Sequence, residues 1–162
     1  MMEIDTNRMD PGSVAVIVPG YNRAQFTQDE ELSFRQLEHF LGRYDKYLVV
    51  PESLAIERPG FHLQRFADTY FGSAAANNKL MMSQTFYQAF RKYRYILIYQ
   101  LDALVFSDSL LEWCAEDWDY IGPPWLQSAD SPWVGTPRVG NGGFSLRKVE
   151  SFLRVSYEPI TE

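Results

Sequence analysis

The chain has 162 residues, enough for one domain with a real hydrophobic core. Hydrophobic residues make up 46% of it, which excludes a disordered chain, and a formal charge of −6 argues against nucleic acid or an anionic membrane as the main partner. Aromatics at 15% suit a well-filled core and also contact with planar or sugar-like surfaces.

The start, "MMEIDTNRMDPGS", carries no long apolar core and is expected to be a flexible lead-in over residues 1–13. "VAVIV" (14–18) is a β-branched run with two apolar faces, which predicts a buried strand ending at Pro19-Gly20. In "TQDEELSFRQLEHFLGRY", Thr27 and Glu30 have capping-box spacing, and Phe34, Leu37, Leu41 and Tyr44 form one apolar stripe of a helix. "YLVV" (47–50) predicts a second strand, ended by Pro51. Residues 52–72 read as irregular, with a turn at Pro59-Gly60.

"NNKLMMSQTFYQAFRKY" predicts one helix with Met82, Phe86, Phe90 and Tyr93 on its core face. The run from Tyr95 to Gln100 predicts a third strand, and a helix is expected to start near Ser107-Asp108. That helix holds the lone cysteine, Cys114, which rules out an intramolecular disulfide and points to a reducing, cytoplasmic setting; a buried inert thiol is the expectation. "DYIG" (119–122) and "GGFSLR" suggest further strands, "KVESFLRV" a last helix, and residues 123–142 are rich in Pro, Gly, Ser and Trp. No apolar run reaches the roughly 18 residues of a membrane span.

Strand, helix, strand, helix, strand predicts an α/β, Rossmann-like three-layer sandwich with a mainly parallel sheet, whose ligands sit beyond the carboxyl ends of the strands. Those ends read "PGYN", "PES" and "QLD". Asp102 is either a turn or cap residue, or a hard oxygen ligand for Mg²⁺ or Mn²⁺ that would hold phosphate oxygens. Gln100 reaches a metal only weakly, through its carbonyl. Asn77, Asn78 and Lys79 open the predicted helix, as a plain cap or as part of an anion site at its positive end. No Ser-His-Asp arrangement, nucleophile elbow, Walker motif or G-x-G-x-x-G is present, which sets aside hydrolase, P-loop and dinucleotide chemistry. His39 and His62 lack ligand spacing.

"VAVIVPGYN", "YLVVPES" and "YILIYQLDALVFSDSLLEW" together resemble the nucleotide-sugar half of a GT-A glycosyltransferase. More closely, "ILIYQLDALVF", "WDYIGPPW" and "VGNGGFSLRKVESFLRV" are similar to an uncharacterised bacterial and fungal family allied to these transferases. The resemblance spans roughly residues 14–155. It implies a GT-A-like domain over 14–162 that transfers a sugar from a nucleotide-diphosphate donor to a glycan or lipid acceptor. Donor-binding residues would be Tyr21, Asn22, Glu52, Lys79, Gln100, Asp102 and Arg147. Trp125, Asn141, Gly142 and Gly143 would face the sugar or acceptor, and Trp133 flanks the same loop.

Two departures qualify the resemblance. The superfamily's D-x-D motif binds a divalent metal, Mn²⁺ or Mg²⁺, and the donor diphosphate. Here Gln100 falls on its first position, leaving Asp102 as the metal carboxylate and weakening the site. Family members also run on beyond Glu162, so the C-terminal part of the domain, with its catalytic base, is expected to be missing. The alternative is a non-catalytic nucleotide- or glycan-binding module of the same fold. A shortened sheet would leave apolar surface uncovered and favour self-association.

Overall fold

The computed structural model describes residues 9–127, 135, 138–140 and 142–156. Its centre is a six-stranded sheet in the order β3-β2-β1-β4-β8-β5. Strands β1 (Val14–Pro19), β2 (Asp45–Pro51), β3 (His62–Phe66) and β4 (Tyr95–Tyr99) run parallel; β8 (Phe144–Lys148) runs antiparallel between β4 and β5 (Tyr120–Ile121). A separate two-stranded ribbon pairs β6 (Pro124–Trp125) with β7 (Arg138–Val139).

Helices cover both faces, because β1 and β4 are apolar on both. Val14, Val16 and Val18 with Tyr95, Leu97 and Tyr99 pack against α1 (Gln28–Leu41) and α4 (Leu110–Ala115). Ala15 and Ile17 with Ile96 and Ile98 pack against α2 (Ala74–Met81), α3 (Gln84–Ala89) and α5 (Val149–Val155). Residues 14–18 are wholly buried, as a strand covered from both sides must be. The three-layer α/β sandwich with a mainly parallel sheet is therefore the fold that the strand–helix alternation predicts.

Helix α1 follows the expected pattern. Thr27 Oγ1 accepts from Glu30 N at 3.2 Å, Glu30 Oε2 accepts from Thr27 N at 2.7 Å, and Phe34, Leu37 and Leu41 are buried. Cys114 is buried as expected, and burial pushes its thiol up to about 12, so it stays protonated at neutral pH.

Three expectations need correction. Residues 52–72 are not all irregular: His62–Phe66 is an edge strand parallel to β2. Only Phe66 in it is buried, which is why no apolar run marks it. The loop before it is pinned by Arg58, whose guanidinium lies 3.4 Å from the Phe34 ring centroid and donates to both carboxylate oxygens of Glu31. Second, the helix expected from residue 77 is two helices. Ser83 breaks it by capping α3, accepting from Phe86 N at 3.2 Å. The break turns Met82 outward, 61% exposed, and Met81 takes its place in the core. Third, α4 starts at Leu110 with Ser109 at the cap position, one or two residues after the expected Ser107 or Asp108; Asp108 Oδ1 accepts from Leu110 N at 3.4 Å.

The end of the sheet away from the strands' carboxyl ends is held by Asp117. Its carboxylate accepts from Arg94 at 2.7 Å, Tyr95 Oη at 3.0 Å and Lys148 Nζ at 2.8 Å. Asp117 also has φ +60°, a conformation that Asp and Asn tolerate best among residues with a side chain. These donors, Lys148 first, hold its pKa down to about 2. A depressed folded-state pKa contributes stability above the unfolded carboxylate range, and that contribution disappears as pH falls through about 2. Asp117→Asn keeps the backbone preference and removes the charge. Thermal melts should show a lower midpoint for the variant at pH 7 and a narrowing gap toward pH 2; a gap of constant size would refute the assignment.

A second prediction concerns Gly20, whose amide donates to Val49 O at 2.7 Å and ties the exit of β1 to β2. A Cβ there would lie 2.2 Å from that carbonyl, a clash with backbone that no rotamer relieves. Gly20→Ala should cost about 1–3 kcal/mol by denaturant titration. An unchanged midpoint would show that the two strands can separate freely at this point.

Candidate functional site at the strand ends

The strand order fixes where a ligand can enter. From β1 the chain moves to β2 and β3 on one side, then crosses to β4 on the other. Helix α1 takes the first connection over one face, and α2 and α3 take the second over the opposite face. The carboxyl ends of β1 and β4 therefore splay apart with no connection filling the space between them, which is the switch point of a doubly wound sheet.

A cleft of about 380 Å³ lies there. Its floor is Pro19, Gly20, Tyr21 and Asn22 from the end of β1, with Gln100 from the end of β4. Its far wall is Phe71, Gly72, Ser73 and Ala74, followed by Asn77 and Asn78 of α2. A second cavity of about 510 Å³ lies on the α1/α4 side, and among the described residues its polar side-chain groups are the Ser107 and Ser109 hydroxyls and the Trp113 indole N–H. A ligand needing several directed hydrogen bonds fits the smaller cleft.

Tyr21 is wired to the start of α1. Arg23 lies over its ring at 4.5 Å and donates to Glu30 at 2.7 Å, and Glu30 is the residue that closes the α1 capping box. Burial raises the Tyr21 pKa, and the negative charges of Glu30 and Asp102 raise it further, so the phenol stays protonated and able to donate. With 43% of its surface exposed, the ring also offers a face for stacking.

Gln100 and Asp102 sit in a tight turn closed by Ala103 N donating to Gln100 O at 3.0 Å. Gln100 is half-buried at the cleft; Asp102 is exposed beside it and, among the described residues, makes no hydrogen bond or ion pair. Among the described residues there is also no cluster of three His, Cys, Asp or Glu side chains able to hold a metal. One carboxylate and one amide fall short of the oxygen ligands a resident Mn²⁺ or Mg²⁺ requires, so these residues alone do not make a resident metal site.

The other expected site residues are spread more widely. Glu52 is exposed at the end of β2 and does not line the cleft. Lys79 does not open a helix: α2 begins at Ala74 with Ser73 as its cap, accepting from Ala76 N at 3.1 Å, which leaves Lys79 exposed in the last turn. The positive end of α2 is thus Ser73–Ala76, and it faces the cleft. Trp125 sits on the β6–β7 ribbon, 40% exposed and away from the cleft lining. Gly143 O accepts from Gln100 N at 2.8 Å, joining the entry of β8 to the end of β4. At Gly142 a Cβ would lie 2.8 Å from Arg147 Nη2, so a larger residue there would require the guanidinium to shift. Arg147 is buried among protein partners. Asn141 and Trp133 lie outside the described residues.

Phe71–Ala74, four of the six wall residues, were not identified from the sequence. They follow the unrecognised strand β3, and the available signal was Gly72-Ser73, a glycine with φ +102° before a capping serine.

Comparison with known proteins gives three findings. Curated proteins give no match. Among solved structures the chain is similar to PcManGT, a mannosyltransferase from Pyrobaculum calidifontis in complex with GDP-Man and Mn²⁺, at 18% identity and a TM-score of 0.45, over 90% of this chain and 48% of that one. The chain thus spans about half the length of that protein. A family profile described as "Protein of unknown function (DUF5672)" matches residues 60–161, a span that takes in Gln100, Asp102 and Arg147 and begins after Tyr21, Asn22 and Glu52. That match covers more than half of the chain, which therefore belongs to the DUF5672 family.

Proposed function

We propose that the chain is the donor-binding part of a glycosyltransferase-like domain, and that a nucleoside-diphosphate sugar occupies the cleft at the ends of β1 and β4. The observation that carries this is the convergence, at the switch point, of an exposed aromatic ring, five amide or hydroxyl side chains and the amino end of a helix. Tyr21 would take the base or ribose by stacking and by its phenol hydrogen. Asn22, Asn77 and Asn78 would meet hydroxyls. The diphosphate would lie at the amino end of α2, where free amides and the helix dipole favour an anion.

Asp102 would give a single carboxylate to whatever divalent cation the diphosphate carries. Gln100, neutral, would donate to a phosphate or sugar oxygen. No catalytic base is assigned. Sugar transfer needs an acceptor and a group to take its proton, and among the described residues the cleft lining carries no carboxylate or imidazole. Gln100 at the first position of the acidic pair, with one carboxylate beside it, favours as the second reading a module that holds a nucleotide or glycan without transferring it.

Calorimetric titration of uridine or guanosine diphosphate, with and without Mn²⁺, tests this. Wild type should bind one of them. Asp102→Asn should weaken binding by about 1–3 kcal/mol when Mn²⁺ is present and much less when it is absent, with stability nearly unchanged. Gln100→Asp should make binding more metal-dependent, and should lower the melting midpoint of the metal-free protein through repulsion between the two carboxylates. If wild type binds neither nucleotide, or binds equally well after Asp102→Asn, the donor assignment falls.

A further inference from the structure

Arg147 is 94% buried, and among the described residues it takes part in no ion pair. Its guanidinium instead spans four neutral oxygens. Nε donates to Ser145 Oγ at 3.0 Å, and Nη1 donates to Tyr87 Oη at 2.7 Å and to Met81 O at 3.4 Å. Nη2 donates to Gly142 O at 3.3 Å, and the Phe152 ring lies 5.3 Å from the guanidinium carbon. A buried charge without an opposite charge is expensive to maintain, and here it is held by four oxygen acceptors that would lose their donor without it.

The partners of Arg147 lie on the elements that build the cleft. Met81 O is at the carboxyl end of α2, whose amino half forms the cleft wall. Gly142 precedes Gly143, whose carbonyl accepts from the amide of Gln100 on the cleft floor. Gly142 O also accepts from Ser145 Oγ at 2.9 Å, so the turn into β8 is held from two sides. The carbonyl dipoles around the guanidinium offset only part of its charge. Arg147 itself does not line the cleft, and its charge would reach an occupant across the Gly142–Gly143 turn.

We propose that Arg147 is the specificity-determining cation of the cleft. It holds the Gly142–Gly143 turn against the end of β4, and its uncompensated charge makes the cleft prefer phosphorylated ligands to neutral ones without touching them. This rests on the donor-cleft assignment and goes further, because it locates the preference for a diphosphate in a buried residue behind the wall. The overall charge of −6 opposes anion binding, and Arg147 reverses that locally.

The test uses the whole chain in metal-free buffer, with uridine, uridine diphosphate and inorganic pyrophosphate as probes. Arg147→Met should keep a cooperative melt and lose less affinity for uridine than for the two phosphorylated probes. Its affinity for pyrophosphate and for uridine diphosphate should fall at least about tenfold, while Arg147→Lys, which keeps the charge, stays within about threefold of wild type. Arg147→Gln, neutral but still a donor to the same oxygens, should match Arg147→Met and takes its place if the methionine variant does not fold. Neutral variants that bind pyrophosphate like wild type overturn the proposal, as does Arg147→Lys binding as weakly as they do. Wild type binding uridine but preferring its diphosphate in no measure also overturns it, and leaves nucleoside binding intact. Wild type binding none of the three probes overturns the donor-cleft assignment itself.

Discussion

Strand β1 has a parallel neighbour on each side and helices over each face. A strand so enclosed can be left only at its carboxyl end, and the chain does so within a few residues: Pro19 ends the ladder, and Gly20 folds onto Val49 O. The first crossover then goes to the β2 side and the later one to the β4 side. A gap between the ends of β1 and β4 follows from that choice. The end of β3 turns through Gly72 to start α2 over the same gap, so the cleft gains a wall with a helix amino end in it.

Polar groups lie at this end of the sheet because the core between the layers leaves them no place. Gln100 and Asp102 follow five fully packed residues, and the tight turn that closes on Gln100 O holds both side chains at the surface. Tyr21 is held by Arg23 and Glu30 through the cap of α1. Its ring is therefore placed by the helix that covers the opposite side of the sheet from α2. The opposite end of the sheet is stabilised differently, by three donors converging on Asp117, far from any proposed ligand.

Much of this could be read from residue types alone. The strands β1, β2 and β4 stand out as β-branched or aromatic runs because both of their faces are covered. The α1 cap stands out because Thr27 and Glu30 satisfy each other's amides locally. Strand β3 stays hidden because an edge strand with four of five residues at least partly exposed has no apolar run to show. The α2–α3 break stays hidden because Ser83 interrupts a pattern whose apolar spacing continues across it. At the site, Tyr21, Asn22 and Gln100 were visible as strand-end residues, but the wall after β3 depended on an element that was missed. Arg147 was the hardest to place. A sequence cannot show that a guanidinium following two glycines turns inward, since the reason lies in Tyr87 and Met81, some sixty residues earlier.

The central claim is that the ligand site of this domain is the cleft at the ends of β1 and β4. Amide chemical-shift mapping of the labelled chain during titration with guanosine or uridine diphosphate tests it most directly. The largest shifts should fall on Tyr21, Asn22, Gln100 and Ser73–Asn78, with Asp117 and its partners unmoved. Shifts centred instead on the apolar groove of Leu104, Phe106 and Trp113 would contradict it.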